Sequence, residues 1–209
     1  MEKMTKDELL KYLKDGNKEL RKGQLIAAKK ANMKKADAVS FGSFIPDVPR
    51  EALKANTPLN TLPDSLKVRV IINTTNIMDS HGDVHMPGLW TKSLQENKFI
   101  MHLQEHDMEF EKIISDGAML KAYTQNFTWQ QLGYDMPGMT EALVFDSTIK
   151  ATGQDPRNKY MYEQYLKGYV KNHSVGMQYV KLILAVDVPD DPYMGAEYEA
   201  WQKYLPDVA

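Results

Sequence analysis

Apolar and polar positions alternate most regularly in Leu66-Lys67-Val68-Arg69-Val70-Ile71-Ile72-Asn73-Thr74. This β-branched run predicts a strand with at least one buried face. Shorter runs predict further strands over 98–103, 112–115, 118–124, 142–148 and 174–186. Helical patterns occur at both ends of the chain. Thr5 and Glu8 stand three apart ahead of Leu9, Leu10 and Leu13, a capping box that opens a short helix interrupted by Gly16. A second helix is predicted over 18–35; it is thin in apolar residues and so needs a surface to pack on. Pro156 suits the first turn of a helix running to about Lys167, with Tyr160, Met161, Tyr165 and Leu166 spaced for one face. A last helix is predicted over 194–204.

These elements divide the chain into a charged helical arm (1–39), a linker (40–65) marked by Gly42, Pro46, Pro49, Pro58 and Pro63, and a strand-rich domain (66–209). Several short strands with few helices and no strict βαβ alternation predict a β-rich α+β fold. Its centre is expected to be a closed or partly open β-barrel, antiparallel or mixed, flanked by helices. At 209 residues the chain is long enough to bury a core without cross-links.

Composition narrows the chemistry. There is no cysteine, which removes disulfides, thiolate nucleophiles and cysteine-held metal clusters. No apolar run approaches the roughly 18 residues of a membrane span. The N-terminal sequence MEKMTKDELLKYLKD is charged throughout; it lacks a secretory signal's apolar region, and its acidic residues disfavour a transit peptide, which points to the cytoplasm. The net charge of −2 hides an asymmetry, because residues 1–35 hold 11 of the 26 basic residues and 5 of the 28 acidic ones. Such an arm could meet nucleic acid or an acidic partner. With a single aromatic, Tyr12, and no arginine cluster, a solvated lysine-rich helical face is the better account.

Four of the five histidines fall between His81 and His106. One reading is a metal site: His102-Leu103-Gln104-Glu105-His106 spells H-x-x-E-H, in which two histidines one helical turn apart hold zinc and the glutamate activates water. That pattern requires a helix, whereas the residues before it read as a strand. His81 and His85 with Asp83 could also bind a metal, although turn chemistry is the commoner fate of such residues. A second reading is a serine nucleophile. Ser174 follows a predicted helix and opens the most apolar long strand, a rigid place for a hydroxyl. It needs a base, and His106 lies at a strand junction from which it could reach across a barrel. His173 is a poorer base, because strand neighbours point to opposite faces. A strand-end hydroxyl capping a turn is the competing account of Ser174.

Three blocks bear on this choice: Asp79-Ser80-His81-Gly82-Asp83-Val84-His85-Met86-Pro87-Gly88-Leu89-Trp90, then Leu103-Gln104-Glu105-His106-Asp107, then His173-Ser174-Val175-Gly176-Met177. In order and spacing they resemble the signature blocks of the prohead proteases of tailed phages, distant relatives of the herpesvirus assemblins. The resemblance spans roughly Val68 to Val186. It implies a serine endopeptidase that cuts scaffold and capsid precursors within the procapsid, in the cytoplasm of a bacterial host, with self-association and no cofactor or metal. Ser174 matches the nucleophile, His106 the general base, and Asp107 the residue after that base. Asp79, Gly82, Asp83, Pro87 and Gly88 match a structural block beside the site, and Gly176 matches the glycine two residues after the nucleophile.

The third triad member is less defined. The family carries it on the strand after the nucleophile's strand; here Asp187 is the candidate, with Glu197 and Glu199 beyond it and His85 and His102 as alternative orienting groups. Relatives usually have one more strand of the form E-x-S-x-V. Its absence carries the expectation that the domain is truncated at its C-terminus, with the third member beyond Ala209 and weak or no activity. A third reading stands apart from catalysis: a capsid-assembly protein whose basic arm docks on partner subunits.

Overall fold

The computed structural model describes residues 4–31, 34–36, 41–44, 64–79, 81–97, 99–150, 156–170, 172–205 and 208. The first helix, α1 (Lys6–Lys14), begins as its capping box predicts. Glu8 N–H donates to Thr5 Oγ1 at 3.3 Å, and Thr5 N–H donates to the Glu8 carboxylate at 2.8 Å. Two otherwise unpaired N–H groups are thereby satisfied. Then come α2 (Lys18–Ala31) and two short strands, β1 (Lys34–Ala36) and β2 (Phe41–Phe44). The strand-rich region continues with β3 (Ser65–Thr74), α3 (Thr91–Glu96), β4 (Met101–Leu103), β5 (Ile113–Asp116), β6 (Leu120–Thr128) and β7 (Met139–Lys150). It closes with α4 (Pro156–Leu166), β8 (Val175–Met177) and α5 (Gly195–Tyr204).

The protein is α+β, and its sheets are antiparallel. The principal sheet has the order β2-β3-β7-β6, and two ribbons, β4-β5 and β1-β8, stand beside it. The alternation in β3 is realised: Leu66, Val68, Val70 and Ile72 are buried, while Lys67 and Arg69 face solvent. Opposite them, β7 places Phe145 against Val70, Ser147 against Val68 and Ile149 against Leu66. Onto this face α4 lays Tyr162, Tyr165 and Leu166. Burying each such side chain contributes about 1.5–3 kcal/mol, which is what fastens α4, and the chain leading out of it, to the sheet.

Among the described residues the strands form three antiparallel sheets, which neither complete the expected barrel nor exclude it. Other expectations are corrected. The strand predicted over 174–186 is confined to Val175–Met177, because Leu184, Val186 and Val188 leave the sheet to pack with Leu9, Leu10 and Leu13 of α1 and with Met194. By the same packing the arm is docked on the C-terminal segment, with Leu13 only 1% exposed. The helix predicted to run to residue 35 stops at Ala31, and Lys34–Ala36 pairs instead with β8. Gly42 of the expected linker belongs to β2, which pairs with β3; Pro46, Pro49, Pro58 and Pro63 lie outside the described residues. No helix among the described residues is long and apolar enough to cross a membrane.

Candidate active site

After Leu103 the chain leaves β4 in a tight turn. Gln104 N–H donates to the Lys112 carbonyl at 2.8 Å, and Asp107 N–H closes back on the Gln104 carbonyl at 3.0 Å. Between them Glu105 and His106 both adopt left-handed backbone, with φ of 57° and 59°. A non-glycine residue there costs about 1 kcal/mol or more. Two in succession mark a turn held by its surroundings, and its effect is to aim the His106 ring. Ser174 approaches from the other side. Tyr162, Tyr165 and Leu166 anchor α4, Gly168 turns at φ 69°, and the chain arrives at the start of β8.

His106 Nε2 and Ser174 Oγ stand 2.5 Å apart. Both residues are half-buried. At this separation the hydroxyl hydrogen lies on the line of transfer to the imidazole, provided Nε2 holds the lone pair and Nδ1 carries the proton. The pair borders an open groove of about 1320 Å³. Leu143 and Phe145 line its sheet side, whereas Phe99, Met108, Tyr160, Tyr169 and Val180 are large apolar side chains left exposed around it. Phe99 and Val180 are 80% and 87% exposed. Apolar surface gathered in this way around a groove is characteristic of a recognition surface.

From the groove wall into the core runs a largely buried polar chain. Ser115 Oγ and Ser147 Oγ are 2.5 Å apart, and Ser147 Oγ lies 3.0 Å from His102 Nδ1. His102 Nε2 is 3.0 Å from the Tyr165 hydroxyl, which is 2.8 Å from His173 Nε2. Tyr165 has one proton to donate, so it donates to one histidine and accepts from the other. Burial, with a smaller effect of neighbouring His173, lowers the His102 pKa to about 3. Burial lowers that of His173 to about 4 and raises the Tyr165 hydroxyl above its ordinary value. All three are therefore neutral near pH 7, and the chain carries hydrogen bonds rather than charge. It ends on the residue adjoining Ser174, so it fixes the backbone that presents the Ser174 hydroxyl.

The remaining sequence-nominated residues fall into place around this geometry. Asp79 Oδ1 accepts the N–H groups of His81 and Asp83 at 2.8 and 2.9 Å, and Gly82 takes φ 71°; these residues build a turn. Gly88, at φ 82°, donates its N–H to the Glu141 carboxylate at 2.8 Å. Pro87 precedes it, and Leu89 and Trp90 next in the chain reach the groove. Asp107 is exposed and contributes its N–H to the His106 turn. Gly176 sits in β8 opposite Lys35.

Asp187 is placed elsewhere. Because β8 ends at Met177 and the following apolar residues pack on α1, Asp187 is carried to the arm side, where its carbonyl accepts from Lys6 at 2.5 Å. It is exposed and does not line the groove, so it does not orient His106 in this arrangement. Nor do the alternative orienting histidines. His102 has both ring nitrogens engaged, and so does His85, with Asn73 Oδ1 at 3.0 Å and the Tyr179 hydroxyl at 3.3 Å. The same facts count against the zinc reading. His102 lies in a strand and His106 in a left-handed turn directed at Ser174, so the helical turn that H-x-x-E-H needs is not formed. Among the described residues no three His, Asp or Glu side chains gather as a metal site.

Tyr165, Ser115 and Ser147 were not legible as site residues. Tyr165 reads as one more apolar-face residue of α4, and only its burial beside two histidines reveals its polar role. In comparisons with known proteins, no family model, curated protein or solved structure matches this chain.

Proposed function

We propose that the protein is a serine endopeptidase of the prohead-protease type, acting on scaffold and capsid precursors. The observation that carries this reading is the 2.5 Å approach of His106 Nε2 to Ser174 Oγ, made by two residues 68 positions apart that the block resemblance had paired. Support also comes from the groove, whose exposed aromatic and aliphatic side chains suit an extended peptide better than a small polar molecule.

The chemistry follows from the pair. Ser174 Oγ attacks the scissile carbonyl carbon while His106 Nε2 takes the hydroxyl proton, giving a tetrahedral oxyanion and an imidazolium. Collapse breaks the C–N bond, and His106 returns the proton to the leaving amine. Water, deprotonated by the same imidazole, then cleaves the acyl ester and restores Ser174. The three antiparallel sheets are consistent with parts of a barrel, the finer architecture this reading implies. The setting that goes with it is a procapsid in a bacterial cytoplasm, with self-association. There the basic arm raises local concentration by engaging assembly partners.

Incubation with an unfolded protein substrate tests the reading. The unaltered chain is expected to cleave it, and Ser174→Ala and His106→Ala each to lower the rate by about a thousandfold or more, with no effect of a chelator. Cleavage that survives Ser174→Ala but not the chelator would replace this reading with the metal one. A folded chain with no cleavage in any form would favour a non-catalytic assembly role.

A further inference from the structure

The segment paired with the nucleophile's strand is the chain's own N-terminal region. β1 runs antiparallel to β8, with Lys34 opposite Met177, Lys35 opposite Gly176 and Ala36 opposite Val175. The last paired position is therefore one residue from Ser174. Further contacts fasten the same stretch. Gln178 Nε2 donates to the Lys30 carbonyl at 3.2 Å. Lys29 makes an ion pair with Asp83, whose other oxygen accepts from the Tyr179 hydroxyl at 3.1 Å. Farther back on α2, Lys18 and Lys22 reach Glu197 at 3.2 and 2.6 Å.

An extended segment lying antiparallel on the strand beside a nucleophile has the geometry by which a peptide adds to a sheet edge. Backbone pairing then supplies binding to any sequence, and alternate side chains supply preference. The contacts are also of a displaceable kind. Three residues in a two-stranded ribbon are marginal by themselves, and the Lys29–Asp83 pair is 34% and 11% exposed, so it is not sealed into a core.

We propose that the edge of β8 held by residues 34–36 is the docking edge for an extended polypeptide, which adds as an antiparallel strand, and that β1 occupies this edge in cis as an intramolecular competitor. The inference rests on the reading of Ser174 as a nucleophile, to which it adds how a substrate is held and what must first move. A tethered segment competes at high effective concentration. The docking-competent population is thus the fraction of molecules in which the arm has let go, and apparent affinity falls by that fraction.

The test uses the full chain and two substitutions that loosen the arm. Lys29→Glu sets like charges against Asp83, and Lys35→Pro removes a backbone N–H from β1. The probe is a fluorescent synthetic peptide of residues 32–40, followed by anisotropy, amide exchange at 175–177 and the rate of fluorophosphonate labelling of Ser174. Both variants are expected to bind the peptide at least about threefold more tightly than the unaltered chain. Bound peptide should slow exchange at 175–177, and peptide-free variants should label faster. Folded variants that bind no better, or binding that leaves exchange at 175–177 unchanged, would overturn the docking edge even if Ser174 labels normally. Binding with protection at 175–177 but no labelling in any form would uphold the docking edge and remove the peptidase reading. Lys29→Glu leaves the backbone intact, so it serves if Lys35→Pro fails to fold.

Discussion

The groove side and the arm side of this protein both bury polar groups, and they do so by opposite means. Behind Ser174 the Ser115–Ser147–His102–Tyr165–His173 chain is uncharged, each group giving or receiving a hydrogen bond. Under the arm, the Glu197 carboxylate has no exposed surface, yet it lies just below it, capped by Lys18 and Lys22, which keep 17% and 23% of their side chains exposed. Burial pushes its pKa up, but the hydrogen bonds from Lys22 and Lys18 prevail and hold it below the ordinary carboxylate range. A neutral chain fixes geometry and resists salt, whereas an ion-pair clamp can be loosened by salt or a competing surface. Ser174 is thus set in a rigid frame, while the arm is fastened by contacts that salt can weaken.

Acid should separate the two regions most strongly. His102 and His173 have folded pKa values of about 3 and about 4, against roughly 6.5 when unfolded. Between these limits the unfolded chain binds more protons, so stability is full above about pH 6.5 and falls as the pH drops below it. From pH 7 to 5 the loss should be roughly 2–4 kcal/mol, read by urea denaturation at each pH. Glu197 has a lowered pKa, so its contribution is present above about pH 4.5 and is lost only as pH falls further. A flat stability profile from pH 7 to 5 would mean that the two histidines are not held neutral as described.

Mutations sharpen the same contrast. Tyr165→Phe removes the hydroxyl joining buried His102 to half-buried His173 and should cost about 2–3 kcal/mol, with little dependence on salt. Lys18→Ala combined with Lys22→Ala leaves Glu197 without its cations so near the surface that water can reach it. The cost should be smaller, about 1–2 kcal/mol, and should shrink in high salt. Comparable costs with the same salt response would erase the distinction between the regions.

What could be read from the chain follows the range of the interactions involved. The capping box at Thr5 and Glu8 and the alternation in β3 are local patterns, and both appear where predicted. The partnership of Ser174 with His106 was legible through the block resemblance, and the geometry brings the two together. By contrast, β1 and β2 are three and four residues long and owe their form to the strands they pair with, which no local window contains. The run after Met177 looks like continuous strand, yet its apolar residues are claimed by α1, so Asp187 travels with them. H-x-x-E-H misleads because five letters do not specify backbone, and Glu105 and His106 take left-handed angles that no helix allows.

The central claim is that Ser174 is a nucleophile activated by His106. It is tested most directly by intact-mass and peptide mapping after treatment with a fluorophosphonate at pH 7.5. The account predicts a single adduct on Ser174, slowed at least a hundredfold in His106→Ala, in which the proton acceptor is gone. No adduct on the folded chain, or one on Ser174 that forms as fast without His106, would contradict it.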